Sequence, residues 1–558
     1  MMRSKHILYT GLLILFLLPF QACDDEAFLE QTPESFYTVD NIFQSSEQVD
    51  QVLVTLYRIN RDLNIFNGQI KGLGTDVLTS PDFRYGGNFS DYSRINSETG
   101  AFRSIFDHYY NMISIANTAL NAAELESVTW ESEEDKSYAT AQARFFRAYA
   151  HGCLAELFGG VPIVTELVTE PRFDYERATR EATYQFAIDE MEAILNNLPE
   201  TTTQDGRVVK GAAQHYLAEF YLGLGIESSN SSAYDKAIQH ATSVIDGGTY
   251  ALNTERFGPR KDDVNPFVGR ANVWWDLFQH DNISYNDGNK ECVWVFPIDF
   301  DAFKAGDNGS YLNYPRNFSP VGRAIPGVTG VAEDVGGRGV AIWRPTDLVI
   351  DLLWDESISS GDIRNDESNI RRKIYYNDPD HEGGALVGQE VPQSAIDETN
   401  NGMGWIFPIF EKLTTDQFVG LDQGENRSNL FRDEYAIRLP ETILLRAEAY
   451  LRKGENQKAA DDINSIRSRA NCDYLVAAGD VDIDFILDER ARELFAEESR
   501  WHTLLRMGGT VATDRIKANA YYEHVAQTLT FDYNLWPIPQ SVIDRNKDVL
   551  LEQNPGWN

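Results

Sequence analysis

Apolar residues recur at three- and four-residue spacing in eight stretches of the chain: 103–125, 136–158, 178–198, 207–225, 233–246, 438–453, 455–470 and 483–507. That period lays a stripe of apolar side chains along one face of an α-helix, so each stretch predicts an amphipathic helix. Between the two blocks the pattern dissolves. Residues 250–435 are rich in Gly, Pro, Asn and Asp, and 306–339 alone hold eight glycines. Such residues punctuate regular structure. The run Cys292 to Phe296 is strand-like, but sustained alternation is rare. The expected fold class is mainly α: helix pairs forming a scaffold, packed against an irregular loop-rich lobe with few short strands.

The helices contain an internal echo. Tyr184, Ala187 and Ile188 return as Tyr234, Ala237 and Ile238, and Ala459 and Ala460 belong to a weaker third copy. Residues 218–222 and 447–451 are the best-matched pair among the helices that precede these copies. This is tetratricopeptide-like grammar, in which a small Ala lets paired helices approach and a Tyr fills the gap. Long insertions separate the copies, so the scaffold is interrupted by loops.

The N-terminus sets the compartment. Arg3, Lys5 and His6 precede a mostly apolar run over 7–20 that is too short and too broken for a membrane span. Ala22 and Cys23 follow, a small residue before Cys as in a lipobox, although Phe20 stands where an aliphatic residue is usual. The expected layout is a lipoprotein signal peptide at 1–22, lipid on Cys23, and a single domain over 23–558. Within it the scaffold falls at about 41–248 and 436–510, the lobe at about 249–435 and a tail at 511–558. Asp24, Asp25 and Glu26 suit a surface-export signal or a solvated tether. Acyl chains on one Cys anchor at about 0.8 kcal/mol per buried CH₂. No other run is apolar enough to span, so membrane attachment is expected by lipid only.

Charge narrows the partners. The 558 residues carry 49 Lys and Arg against 86 Asp and Glu, a formal charge of −37. Loss of Arg3 and Lys5 makes it −39. A nucleic-acid binder needs a basic footprint, so that class is excluded, and electrostatic docking on anionic lipid is disfavoured. Cys153, Cys292 and Cys472 lie among apolar residues without metal-ligand spacing and read as free buried thiols.

Catalytic signatures are absent: no HExxH, GxSxG or Walker loop occurs. Asp480, Asp482 and Asp484 lack the Gly and distal Glu of a calcium loop, and Asp484 reads as a helix N-cap. No metal or cofactor is expected. Glu489, Glu493, Glu497 and Glu498 interleave with Arg490, Arg492 and Arg500. This invites a two-carboxylate hydrolase, but helical spacing makes i,i+4 ion pairs the better reading. His151, in a helix without a matched partner, suits packing or capping.

Several blocks in order resemble the SusD/RagB family of outer-membrane nutrient-binding lipoproteins. Phe28 to Pro33 follows the lipid Cys as that family's N-terminal stretch does. Phe106, Tyr110, Ile113 and Asn117 match its W-x3-Y-x2-I-x3-N pattern, with Phe106 for Trp. Ala143 to Tyr149 and then Leu157 to Pro162 match its most recognisable helix and turn, in which Gly ends the helix and Pro prevents its continuation. Ala447, Glu448, Ala449, Ile463, Asn464, Ile466 and Arg467 resemble its later paired helices. The segment from Asp488 to Gly508 resembles its E-R-x3-E-L…E-x-R…L-x-R-x-G stretch, with Thr503 where Asp is usual. Trp536 to Pro539 and Gln553 to Trp557 resemble its ending. The resemblance implies four tetratricopeptide-like helix pairs and a non-enzymatic role, capture of an oligosaccharide at the cell surface. The implied partner is a SusC-like TonB-dependent transporter over which the protein sits as a lid.

A sugar site needs an aromatic platform for the apolar pyranose face and planar polar groups for the hydroxyls. Aromatic residues make up 12% of the chain, enough to supply both scaffold and platform. Two regions outside the predicted helices offer candidates. The first holds Asp76, Arg84, Tyr85, Asn88 and Tyr92; the second holds Trp274, Trp275, Tyr285, Tyr311 and Trp343. If Trp274 and Trp275 are extended they face opposite ways, so one is a candidate for exposure. Alternatives are the same fold binding a peptide or another nutrient, and a lipid-anchored glycoside hydrolase. A Cys23→Ala variant is expected to leave the membrane fraction; fractionation and immunoblotting check this, and retention in the membrane would contradict the lipid anchor.

Overall fold

A computed structural model of the chain describes residues 42–81, 87–306, 311–330, 336–414, 418–419, 429–521, 523–529 and 534–557. The apolar stripes fold into helices α1 (Ser46–Phe66), α2 (Gly100–Ala123), α3 (Glu133–Phe158), α4 (Arg180–Glu192), α5 (Lys210–Ser228) and α6 (Ser231–Ile245). After the lobe come α7 (Leu439–Arg452), α8 (Asn456–Arg469), α9 (Ile483–Leu494), α10 (Arg500–Arg506) and α11 (Val511–Asn519). Helices α1 and α11 fall outside the eight stretches whose spacing predicts a helix. Helix α3 shows the local logic. Its N-cap Ser132 accepts from the Asp135 N–H, and Glu133, Glu134 and Asp135 meet the positive end of the helix dipole. Gly159, at φ +75°, turns the chain out of it.

Helices α1 to α8 pack each on the next in chain order, consistent with tetratricopeptide-like pairing. The stack is continuous across the lobe: α6 packs on α7 although residues 246–438 lie between them. Its closest approaches are made at glycine as well as alanine. A Cβ on Gly152 of α3 would stand 2.1 Å from the Phe220 ring of α5. The two echoed tyrosines sit on neighbouring glycines of α5, Tyr184 over Gly223 and Tyr234 over Gly225, at 2.7 and 2.5 Å from an added Cβ. The echo therefore marks two rings filling equivalent gaps.

The described residues contain four two-stranded antiparallel ladders, formed by β1 (Leu78–Thr79), which the N-terminal block lends to the lobe, β2 (Cys292–Phe296), β3 (Arg344–Pro345), β4 (Ile370–Arg371), β5 (Ile409–Phe410), β6 (Phe418–Val419), β7 (Asn429–Leu430) and β8 (Glu434–Arg438). The longest pairs β2 with β8, setting Val295 against Tyr435 and Phe296 against Glu434. Strand β2 is buried along its whole length, which explains its unbroken apolar sequence. Trp294 fastens it to the stack by packing on Phe145 at 5.4 Å and donating from its indole N–H to the Gly206 carbonyl at 2.7 Å. Strand β8 runs straight into α7, with Arg438 as the N-cap residue.

Three sequence expectations need correction. The stretch 483–507 is broken into α9 and α10, because Ala496 adopts φ +62° and its carbonyl accepts from Lys71 Nζ at 2.8 Å. The charges of that stretch pair mainly across elements rather than at i,i+4. Arg438 of β8 reaches Glu493 at 2.5 Å, Glu497 at 2.8 Å and Glu291 at 2.9 Å. Arg364 of the lobe reaches Glu489 at 2.8 Å and Glu493 at 2.9 Å, and Arg467 of α8 reaches Glu489 at 2.6 Å. Arg469 also pairs with Glu493. Within α9 the ion pair is Arg492 to Glu489, at i,i+3. All these groups are buried except Glu497, which is half-buried. Burial alone would raise Glu489, but Arg364, Arg492 and Arg467 outweigh it and hold it down at about 2. The N-cap of α9 is Asp482, which accepts from the Phe485 N–H at 2.8 Å, while Asp484 pairs with Arg515.

Cys153, Cys292 and Cys472 are free and buried. His151 accepts no exposed role: one ring nitrogen meets the Arg147 carbonyl at 2.8 Å and the other the Val164 N–H at 3.4 Å. Among the described residues no helix is long and apolar enough to cross a membrane. Gly152→Ala is expected to destabilise the fold by about 1–3 kcal/mol, because Phe220 must move from its well-packed site. Thermal unfolding measures it, and Phe220→Leu in the same chain is expected to recover part of the loss.

Candidate functional site

A cleft of about 550 Å³ opens on the lobe between residues 260–267, the Trp275 turn and the Glu411 segment. That size suits a small-molecule or oligosaccharide site. Asn272 caps the short helix Val273–Asp276 by accepting from the Trp275 N–H at 3.1 Å. The two tryptophans therefore lie on a helical turn, not an extended strand, and their side chains diverge by roughly 100°. Trp274 turns inward, under the guanidinium groups of Arg438 and Arg469 at 5.1 and 5.0 Å from its ring centroid. Trp275 lines the cleft, with only 6% of its surface exposed.

Facing groups complete the lining. Asn265 accepts from the Phe267 N–H at 2.9 Å and so holds the turn that brings Phe267 to the wall. Arg371 stacks 3.9 Å from the Phe267 ring centroid and donates to Glu411 at 2.7 Å. Arg260 pairs with Asp263. Gln279 donates to the Trp275 carbonyl at 3.0 Å, tying the cleft floor to the tryptophan turn. Exposed Asp262 and Val264 stand at the rim. An apolar ring face flanked by carboxylates and an amide can hold a polyhydroxylated ligand with one apolar face.

The other sequence candidates are dispersed. Asp76 is completely buried, and its two oxygens take a fork from Arg500 at 2.9 and 2.6 Å and a third donor from Arg515 at 3.1 Å. Those arginines hold its carboxyl below the usual range against the opposing effect of burial. It is a packing ion pair, not a sugar contact. Tyr92 is likewise buried, its hydroxyl donating to the Gly74 carbonyl. Trp274 and Trp343 are core residues, the latter against Phe318 at 5.1 Å. Half-buried Tyr311 packs on Phe66 and Phe303. Half-buried Tyr285 carries Lys290 Nζ 3.9 Å from its ring centroid, and its hydroxyl donates to the Thr249 carbonyl. Asn88 is half-buried in the turn Gly87–Ser90. Cys23, Arg84 and Tyr85 lie outside the described residues. Of the eight glycan candidates among the described residues, Trp275 is the one that lines this cleft. Sequence reasoning missed Phe267, whose signal was an aromatic held in the Asn-Pro turn at 265–266, and Glu411, for which no local signal exists.

A second polar constellation sits inside the stack. Cys153, Glu156 and His502 bring ligand atoms within 4.8 Å of one another. Both His502 nitrogens are engaged, with Glu156 at 2.7 Å and the Tyr109 hydroxyl at 3.0 Å. The adjoining chamber is about 40 Å³, too small for a sugar. Burial pushes Glu156 and Glu219 up to about 7 and Glu441 up to about 8. This constellation is a polar joint between helices.

A sequence model of the SusD family matches residues 351–557, and a related model, described as starch-binding associating with outer membrane, matches 27–222. Between them they take in most of the chain. The chain belongs to the SusD/RagB family. A SusD-like protein of Bacteroides ovatus is 23% identical over 522 residues, 90% of this chain and 82% of that protein. Another, of Formosa agariphila, is 23% identical over 586 residues, 99% of both chains. A SusD homolog from Bacteroides thetaiotaomicron superposes with TM-score 0.69 at 18% identity, covering 93% of this chain and 98% of that one. A laminarin-binding SusD-like protein superposes with TM-score 0.61 at 19% identity, covering 92% and 100%. At these identities the structures establish the SusD fold.

Asp76→Asn is expected to cost about 3–5 kcal/mol of stability, because it leaves two buried guanidinium groups undercompensated. Chemical denaturation measures it; ligand affinity at temperatures where the variant is folded is expected to be unchanged.

Proposed function

We propose that this SusD-family protein captures an oligosaccharide at the outer surface of the cell without cleaving it. It then delivers the ligand to a SusC-like TonB-dependent transporter. The observation that carries the reading is the 550 Å³ cleft, where the Trp275 and Phe267 rings line the wall beside Asp262, Asp263, Gln279 and Glu411. A pyranose presents axial C–H bonds to such a face and hydroxyl donors to such acceptors. The description of the family as starch-binding and associated with the outer membrane supports the ligand class and the location, as does the laminarin binding of a structural relative. The lipobox at Cys23 supplies the anchor in this reading.

In native gels containing polysaccharide, the mature protein is expected to be retarded by a polymer whose chain length stays intact. Trp275→Ala is expected to weaken that binding at least about tenfold, equivalent to roughly 1.4 kcal/mol, with the fold unchanged by circular dichroism. Unaltered affinity would remove Trp275 as the platform, and turnover abolished by changing one carboxylate would replace binding with hydrolysis. Copurification with a TonB-dependent transporter after solubilising the outer membrane tests the delivery step.

A further inference from the structure

The charge of the cleft goes further than its shape. Its lining carries three carboxylates, Asp262, Asp263 and Glu411, against one guanidinium, Arg260. That guanidinium is already paired with Asp263. Two further cations stand behind the lining: Arg371 is stacked on Phe267 and donates to Glu411, and Arg256, 5.8 Å from the Trp275 ring centroid, is paired with Asp276. The cations described at this wall thus hold protein carboxylates. The chain around them has a formal charge of −37, so the long-range field carries the same sign as the lining.

We infer that the cleft is built for an uncharged glycan and discriminates against uronate and sulfated sugars; this rests on the glycan reading above. Hydroxyl groups are donors, and the lining is rich in acceptors that can take them. An anionic sugar brings a like charge towards Asp262 at the rim, while the charge of Glu411 is offset by Arg371. At 4 Å that repulsion is about 1 kcal/mol in water and rises to about 4 kcal/mol near a protein surface, so each anionic group costs about tenfold or more in affinity. Screening weakens the effect as salt rises, because the Debye length is about 10 Å at 0.1 M and about 3 Å at 1 M. Stacking on Trp275 has no such dependence, which separates the two contributions.

The test uses one neutral polymer that the mature protein retards, in two derivatised forms of equal substitution. Hydroxyethylation adds bulk without charge and carboxymethylation adds similar bulk with charge. The carboxymethyl form is expected to bind about tenfold more weakly than the hydroxyethyl form at about 20 mM salt, with the gap closing towards 1 M. Asp262→Asn, at an exposed rim position, removes the charge and keeps an acceptor oxygen, and is expected to narrow the gap between the two forms several-fold at low salt. Equal or tighter binding of the carboxymethyl form overturns the inference and leaves the glycan reading standing. So does a panel in which alginate or polygalacturonate is retained and neutral polymers are not. If no polysaccharide of either kind is retained, the glycan reading fails and this inference falls with it.

Discussion

The lobe and the helical stack meet on a buried network of arginines and carboxylates, and the placement of everything else depends on it. Glu489 and Glu493 of α9 receive Arg364 from the lobe, Arg438 from β8, and Arg467 and Arg469 from α8. Desolvating so many charges is costly, and well-packed apolar residues could match the network in stability. What it imposes is geometry. A guanidinium left without its carboxylate is an uncompensated buried charge at a cost of about 3–5 kcal/mol, so the lobe is held to the register in which each charge has its partner.

The candidate cleft inherits that constraint. Arg438 and Arg469, both in the network, lie under the Trp274 ring, and the helical turn that carries Trp274 carries Trp275 as its next residue. Trp274 is thus anchored in the core, and Trp275 is the ring that lines the cleft. The stack contributes rigidity at one remove, through Trp294 on β2 and through β8 running directly into α7. A loop-rich lobe can hold a defined site because its loops are tied to a rigid scaffold by a few buried side chains.

The helices were largely legible in the sequence because a helix that buries one face must repeat its apolar residues at the helical period. Three features escaped. The break between α9 and α10 is made by Ala496 and Lys71, a contact spanning most of the chain. The charges of α9 look like a local i,i+4 series, and only packing against the lobe turns them into long-range pairs. The lobe itself has no periodic signal, since its ladders are two to five residues long. At the site, the Trp274-Trp275 pair could be singled out, but the extended backbone assumed for it could not anticipate the Asn272 cap. Asp76 and Tyr92 looked like loop ligands because burial is invisible in a loop without alternation.

By itself the sequence determined the fold class, the stretches that become helices, the acidic charge and the family resemblance, because each is written in residue type, order or local spacing. Only the tertiary structure decided which aromatic rings reach a cleft and which arginines are spent on carboxylates. Those outcomes depend on contacts between segments hundreds of residues apart, such as Asp76 with Arg500 or Glu291 with Arg438, and no local pattern encodes them.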